Sequence, residues 1–379
     1  MKKRKLGHDG PEVGAIALGC MRMSNFPGTT TSRRSPGDAE SVATIEAALD
    51  AGINFLDTGD FYGMGHNELL ISRAIKERRD DAFLSVKFGA QKSPSGAFLG
   101  ADLRPNSVKN FAAYSLQRLD VDVIDLYQPG RLDPTIPVED TVGAIADLIR
   151  EGKVRYLGLS EVTADQLRKA HSVHPVSALQ IEYSLATRFI EREILPTARE
   201  LGVSIVPYNV LSHGLLAGGV TGPLSPGDPR AMISRFEPAH LAKNLQTIAA
   251  FEAMAADIGC NPSQLAVAWV LSRGEDIVPL VGMSRRSRLP ENLAALNVKL
   301  ALDDLKKLDE LFAPGRSWEK ECPLTCDIFR PSRFSSGCPS PATAKKRVPR
   351  TKGRNRCPKN TRRLKAARPS RTAARRISC

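Results

Sequence analysis

Asn54-Phe-Leu-Asp-Thr-Gly-Asp-Phe-Tyr-Gly-Met-Gly65 and Phe83-Leu-Ser-Val-Lys-Phe88 decide how this chain folds and where its chemistry lies. Each begins as a short apolar run, β-enriched and of the length of a buried strand. Each also carries a polar group at its end: Asp57 in the first and Lys87 in the second, with Tyr62 following five residues after the aspartate. Side chains alternate across a strand, so Phe55 and Asp57 share one face, as do Ser85 and Lys87, while Leu84 and Val86 point the other way. Neighbouring parallel strands lie about 4.8 Å apart, so a carboxylate and an amine at equivalent strand ends can touch. A buried lysine held by an aspartate beside a tyrosine is a device for delivering a proton.

Working outward, the same kind of strand recurs. Strand-like runs fall at 14–19, 53–57, 83–87, 123–127, 155–159, 178–182, 203–207 and 277–281. Amphipathic stretches alternate with them, at 38–51, 67–79, 104–119, 139–151, 163–172, 190–201 and 240–259, with two more at 286–297 and 303–312. Residues 2 to 13 read as a short hairpin turning at Asp9-Gly10. Eight strands, each followed by a helix, predict a (β/α)8 TIM barrel in an α/β chain, preceded by an N-terminal β-hairpin. The competing architecture, an open doubly wound sheet, normally brings a Gly-x-Gly-x-x-Gly turn after its first strand when it binds a dinucleotide. Here that strand runs into the polar stretch 24–38, and no Walker-type phosphate loop occurs either. The barrel is the better reading. A long Gly-, Pro- and Ser-rich connection at 209–238 follows the seventh strand and is expected to act as a flap over a bound ligand.

Charge divides the chain near residue 315. Of its 54 Lys and Arg, 19 lie in 316–379, against 3 of its 41 Asp and Glu, so this stretch carries +16 and the rest −3. Residues 1–315 therefore have the charge balance of an ordinary enzyme domain, and the predicted organisation is a barrel domain at 1–315 followed by a basic tail at 316–379. Only Cys20 and Cys260 fall in the body, which gives no disulfide framework and favours a reducing compartment. Met-Lys-Lys-Arg-Lys leads into no apolar signal region, and no uncharged apolar run reaches transmembrane length. A cytoplasmic protein with no membrane partner is expected. Cys322 and Cys326 have a spacing found in some zinc sites, yet no histidine follows them, and no metal is predicted.

Several separated motifs, taken in order, resemble the aldo-keto reductase family over residues 4 to 314. They are Asp57-Thr-Gly-Asp-Phe-Tyr62-Gly-Met-Gly-His-Asn-Glu68, Val86-Lys87-Phe88, Gly152-Lys-Val-Arg-Tyr-Leu-Gly-Leu-Ser160, Leu179-Gln180-Ile-Glu-Tyr183, Val206-Pro-Tyr208-Asn-Val-Leu-Ser-His-Gly214, Gln264-Leu-Ala-Val-Ala-Trp269 and Arg288-Leu-Pro-Glu291-Asn292. The resemblance implies an oxidoreductase that reduces an aldehyde or ketone to an alcohol by hydride transfer from NADPH. It assigns catalysis to Asp57, Tyr62 and Lys87. Tyr62 donates the proton, Lys87 draws the phenol's pKa down from about 10, and Asp57 holds the lysine charged and oriented.

It also assigns the cofactor's contacts. Ser160 and Gln180 match the partners of the nicotinamide carboxamide, and Tyr208 the ring stacked on the nicotinamide. Leu211, Ser212 and Gly214 fall where the chain passes the pyrophosphate. Arg288, Glu291 and Asn292 match the grip on the adenosine end, where an arginine suits a 2′-phosphate and so favours NADPH over NADH. Arg285 and Arg286 add positive charge nearby.

Two positions depart from the pattern. The histidine that usually follows the fourth strand and positions the carbonyl is Gly130 here, and the asparagine usually following the carboxamide serine is Glu161. Gln128, a water or His66 are the candidate stand-ins for the missing donor. Loss of such a donor costs on the order of 10²–10³ in rate, so an alternative function is an NADPH-binding regulatory or sensor protein with weak catalysis.

The tail has no hydrophobic periodicity and seven prolines, and is expected to be disordered. Its charge would permit nonspecific contact with nucleic acid or anionic membrane, but it lacks a helical face or interleaved aromatics. An out-of-frame or mis-predicted translation is the favoured explanation of it. Substrate identity and oligomeric state are not legible in the chain.

Overall fold

The computed structural model describes residues 1–25, 35–226 and 228–313. The predicted tail, its five cysteines and the proposed boundary at 315 lie outside the described residues. The chain begins with a hairpin of β1 (Lys3–Lys5) and β2 (Glu12–Gly14), paired antiparallel as the Asp9-Gly10 signal predicts.

The barrel strands alternate with helices, with one inserted hairpin and one doubled helix. They run β3 (Ala17–Gly19), α1 (Asp38–Asp50), β4 (Phe55–Gly59), α2 (His66–Ile75) and β5 (Phe83–Phe88). A small hairpin, β6 (Ala90–Lys92) and β7 (Phe98–Ala101), interrupts before α3 (Pro105–Leu119). Then come β8 (Ile124–Pro129), α4 (Val138–Arg150), β9 (Val154–Ser160), α5 (Ala164–Val173), β10 (Val176–Glu182), α6 (Ile194–Glu200) and β11 (Ser204–Tyr208). Helices α7 (Pro238–Ile258) and α8 (Pro262–Ser272) follow β11, and the last repeat holds β12 (Leu280–Gly282), α9 (Leu289–Ala294) and α10 (Leu302–Leu311).

Eight strands form one parallel sheet in the order β11-β10-β9-β8-β5-β4-β3-β12. Its two ends meet: Ile205 N–H donates to Asp276 at 2.9 Å, and Val278 N–H donates back to Ile205 at 2.9 Å. Closure of this kind leaves no open sheet edge.

Local signals place the helices. Pro105 starts α3 at a position where its missing N–H costs nothing, and Asp120 ends it in the left-handed region at φ 55°. Thr163 with Gln166 and Asn261 with Gln264 form capping boxes at α5 and α8. Periodicity revealed neither the β6–β7 hairpin nor helix α8. Residues Leu265 to Val270 are all buried, so the segment has no polar face from which to read a helical repeat.

The two faces of the strands do separate work. Outward residues such as Leu56, Leu84, Val86 and Leu179 pack under the helices. Inward residues near the strand starts, Phe55, Phe83, Leu126, Ala178, Val206 and Val278, close the barrel floor together with Leu6 and Val13 of the hairpin segment. Phe55 and Phe83 meet edge to face, with ring centres 5.1 Å apart. The Arg4 guanidinium caps this end by donating to the carbonyls of Leu271 and Gly274, both at 2.9 Å, and of Ile277. One turn of alternation further along the same strands, the inward positions become polar, and that is where the candidate site lies.

Candidate active site

Strands β4 and β5 pair in register with Asp57 opposite Ser85 and Gly59 opposite Lys87. Lys87 thus starts two residues nearer the barrel mouth than Asp57 and reaches back along the strand. Its Nζ lies 2.7 Å and 2.6 Å from the two carboxylate oxygens of Asp57. Ser85 and the amide of Gln180 also donate to Asp57 Oδ1, at 3.2 Å and 2.8 Å. The carboxylate is therefore fully engaged, as a buried charge requires. Gln128 donates to Ser85 at 2.9 Å and extends the network behind the aspartate.

Tyr62 enters from a tight turn after β4. Gly63 at φ 58°, Met64 at φ 58° and Gly65 at φ 91° reverse the chain in left-handed geometry. Gly63 has to be glycine, because a Cβ there would lie 2.8 Å from Ser24 Cβ. The turn lays the phenol over the lysine: Lys87 hydrogen-bonds to Tyr62, and its Nζ sits 5.5 Å from the ring centre. Asp57, Tyr62 and Lys87 are 2%, 6% and 6% exposed. Sequence reasoning brought these three together, and the structure does the same.

The electrostatic outcome differs from expectation in one respect. Burial raises the Tyr62 pKa; Lys87 opposes this, as predicted, but Asp57 adds to burial and the net shift is upward. The expected net depression is not found, because desolvation of a buried phenolate outweighs one paired cation. The phenol accordingly keeps a proton to give. For Lys87, burial favours the neutral amine, but Asp57 and Tyr62 more than offset it, and the net shift is again upward.

The expected cofactor residues fall into two groups. Ser160 and Gln180, buried, and Tyr208, half-buried, stand at the ends of β9, β10 and β11 beside the triad. Tyr208 hydrogen-bonds to Glu161 and to Arg131. Leu211, Ser212 and Gly214 lie in a turn with Asn209 at φ 56°, Ser212 at φ 49°, His213 at φ 55° and Gly214 at φ 90°. The amides of Ser212, His213 and Gly214 bond within this turn, and two guanidiniums flank it, each paired with a carboxylate: Arg230 with Asp228 at 2.8 Å and Arg235 with Glu182 at 3.0 Å. Arg230 donates to the carbonyl of His213 at 3.1 Å, and Arg235 to the Ser212 hydroxyl.

Arg288, Glu291 and Asn292 form the other group, at the start of α9. Arg288 pairs with Glu291 at 2.8 Å, and Asn292 donates to the Arg288 carbonyl at 2.8 Å. Arg286 is tied to Glu40 of α1 at 2.9 Å, which offsets part of the charge attributed to it.

Neither protein stand-in expected for the missing histidine takes that place. His66 is held by Ser24 at 3.0 Å and Asp38 at 3.2 Å. Gln128 is turned toward Ser85, and its Oε1 has no partner among the described residues.

Three residues escaped sequence reasoning. Arg131 is half-buried, with Nη1 2.9 Å from the Gly130 carbonyl and 3.5 Å from Ser160 Oγ. Arg235, 1% exposed, clamps the 209–238 connection to the end of β10 through Glu182 and to the turn after it through Thr187, both at 3.0 Å. Asp60 is buried near Glu68; burial, then Glu68, pushes its carboxyl up to about 7. A lone arginine in a polar loop and an aspartate in an Asp-rich motif look ordinary in sequence, and only burial distinguishes them.

A closed eight-stranded parallel barrel with these side chains at its carboxyl mouth agrees with the match of residues 15–313 to the family model of the aldo/keto reductases. The chain belongs to the aldo/keto reductase family. It is 40% identical over 316 residues to the probable aldo-keto reductase 1 of Glycine max, covering 82% of this chain and 89% of that protein. Among solved structures it resembles a glycerol dehydrogenase from Gluconobacter oxydans, with a TM-score of 0.73, 28% identity, and 82% and 95% of the two chains covered. An aldo-keto reductase from Bacillus halodurans in its holo form aligns with a TM-score of 0.69 and 25% identity, covering 82% of this chain and 96% of that one.

This aldo/keto reductase is therefore an oxidoreductase of a family that uses nicotinamide cofactors on small-molecule carbonyl compounds. Among the described residues no helix is long and apolar enough to cross a membrane, and no three His, Cys, Asp or Glu are grouped to hold a metal ion.

Proposed function

We propose that this enzyme reduces an aldehyde or ketone to an alcohol with NADPH, and that Tyr62 is the proton donor. The observation that carries the reading is the buried chain Tyr62–Lys87–Asp57 at the barrel mouth, in which a protonated phenol is hydrogen-bonded to a lysine held charged by two contacts of 2.6–2.7 Å.

The residues present fit a reduced nicotinamide dinucleotide. Ser160 and Gln180 offer polar groups to a carboxamide, and Tyr208 offers a ring face. Arg230 and Arg235 bracket the turn a pyrophosphate would pass, and Arg288 offers a planar cation to a 2′-phosphate. That cofactor, when bound, supplies the hydride, two electrons on one hydrogen. The carbonyl carbon accepts it, the C–O π pair moves onto oxygen, and the O–H proton of Tyr62 completes the alcohol. Lys87 stabilises the phenolate left behind until solvent reprotonates it, while Asp57 fixes the ammonium in place. Gln180 and Ser85 orient Asp57 from the other side.

A Tyr62→Phe variant tests this. It is expected to bind NADPH with unchanged quenching of cofactor fluorescence, while reduction of an activated aldehyde falls by about 10²–10⁴-fold, the range for a general acid. Unchanged turnover removes Tyr62 from its role. NADPH binding by the unaltered protein with no turnover on a broad carbonyl panel would favour the sensor alternative, which Gly130 motivates.

A further inference from the structure

We infer that Arg131 is a second catalytic residue of this site, donating a hydrogen bond from its guanidinium to the carbonyl oxygen that Tyr62 protonates. The inference rests on the reductase reading above. Chemistry creates the need. As hydride arrives at carbon, negative charge grows on oxygen, and a single phenol meets it from one side only. Donors preorganised toward that charge account for much of the rate in such reactions.

Position 130, where β8 reaches the mouth, provides no such donor. Gly130 is held to β5 by its N–H to Phe88 at 2.9 Å, and a Cβ there would face the Phe61 ring at 3.4 Å. The next residue curls back over this end. Arg131 Nη1 contacts the Gly130 carbonyl at 2.9 Å, and the guanidinium hydrogen-bonds to Tyr208 while lying within electrostatic reach of Tyr62 and Glu161. It is a cation at the mouth, with Nη1 3.5 Å from Ser160 Oγ and within electrostatic reach of the proton donor.

Its setting repeats the logic of the first pair. Lys87 is backed by direct contact with Asp57; Arg131 has Glu161 acting on it through space, with Tyr208 bonded to both. Glu161 is itself fixed, accepting from the Glu182 N–H at 2.8 Å and from Tyr208, with its backbone held at φ 55°. A non-glycine residue in that region is uncommon, and such strain collects at functional sites. Each carboxylate offsets its cation, and both cations act on Tyr62, Lys87 through a hydrogen bond and Arg131 through space. Arginine suits the task, because five N–H donors exceed the partners it has among the described residues, namely Gly130, Ser160 and Tyr208. The departures at 130 and 161 then have one explanation: the donor has moved one residue along the chain, and a carboxylate has been placed within its electrostatic reach.

The test compares Arg131→Met and Arg131→Lys with the unaltered enzyme, reading turnover of an activated aldehyde and, separately, NADPH affinity by fluorescence. Arg131→Met is expected to lose about 10²–10³-fold in kcat, with NADPH affinity within about threefold. Added guanidinium ion should restore at least about tenfold of that loss. Arg131→Lys keeps the charge opposite Glu161 and covers the case in which the neutral variant does not fold. It should still fall by about tenfold or more, because an ammonium cannot span Tyr208 and the substrate together.

A kcat within about threefold of the unaltered enzyme in either variant overturns the proposal. So does a loss of NADPH affinity as large as the loss of turnover, which would make Arg131 a cofactor ligand. No turnover by the unaltered protein defeats the reductase reading itself, whereas turnover with an indifferent Arg131→Met defeats only the role given to Arg131.

Discussion

Replacing Lys87 by methionine removes a charge on which both Asp57 and Tyr62 depend. The side chain is of similar length and apolar, so packing is largely kept while the ammonium is lost. Asp57, 2% exposed, would keep only the donors Ser85 at 3.2 Å and Gln180 at 2.8 Å, and both of its contacts to Nζ would vanish. An unpaired buried charge of this kind costs about 3–5 kcal/mol. Asp57→Asn strands the ammonium instead, with Tyr62 as its remaining neighbour, and should cost a similar amount.

The double variant carries neither charge. Replacing both partners of a buried pair by neutral groups is often close to neutral, so the double should lose about 0–3 kcal/mol where simple addition demands about 6–10 kcal/mol. Urea denaturation of the four proteins, fitted with a common slope, measures the coupling. Activity must part company with stability in the same set. The double variant should be folded yet as inactive as either single one, because the phenol has lost its cationic neighbour. Additive losses, or single losses below about 1 kcal/mol, would show that the pair is solvated and would refute the account of a dry, charge-coupled site.

Asp60 supplies the pH-dependent counterpart. Its folded carboxyl titrates near 7, above the ordinary 3.8, so between those values the native state binds the extra proton and stability declines as pH rises. Asp60→Asn should flatten that decline between pH 4 and about 7 and be the more stable protein at pH 8 by about 2–4 kcal/mol, read from urea midpoints against pH; an unchanged slope would mean the charge is relieved locally. At the far end of the proposed cofactor, Arg288→Ala should weaken NADPH binding by about tenfold while leaving NADH affinity unchanged, in line with loss of a charged hydrogen bond. Equal losses for both cofactors would detach Arg288 from the 2′-phosphate.

Sequence by itself determined the parts set by local pattern. Alternation in 54–57 and 83–87 put Asp57 and Lys87 on inward faces, and the repeat of strand and helix implied a closed parallel sheet. Those features depend on neighbours a few residues apart, which periodicity and turn chemistry record. Helix α8 escaped because, buried on all sides, it has no amphipathic signature.

Tertiary structure decided what depends on burial and on distant neighbours. It set the direction of the Tyr62 shift, since desolvation is a property of the packed interior and outweighs the adjacent cation. It turned Gln180 and Gln128 inward to support Asp57, and it held His66 between Ser24 and Asp38. It also brought Arg131 to Tyr208 and within electrostatic reach of Glu161, from three different strand ends, a meeting that no spacing along the chain encodes. A strand pattern states which way a side chain points; the strength of its charge is set by whatever the closed barrel packs around it.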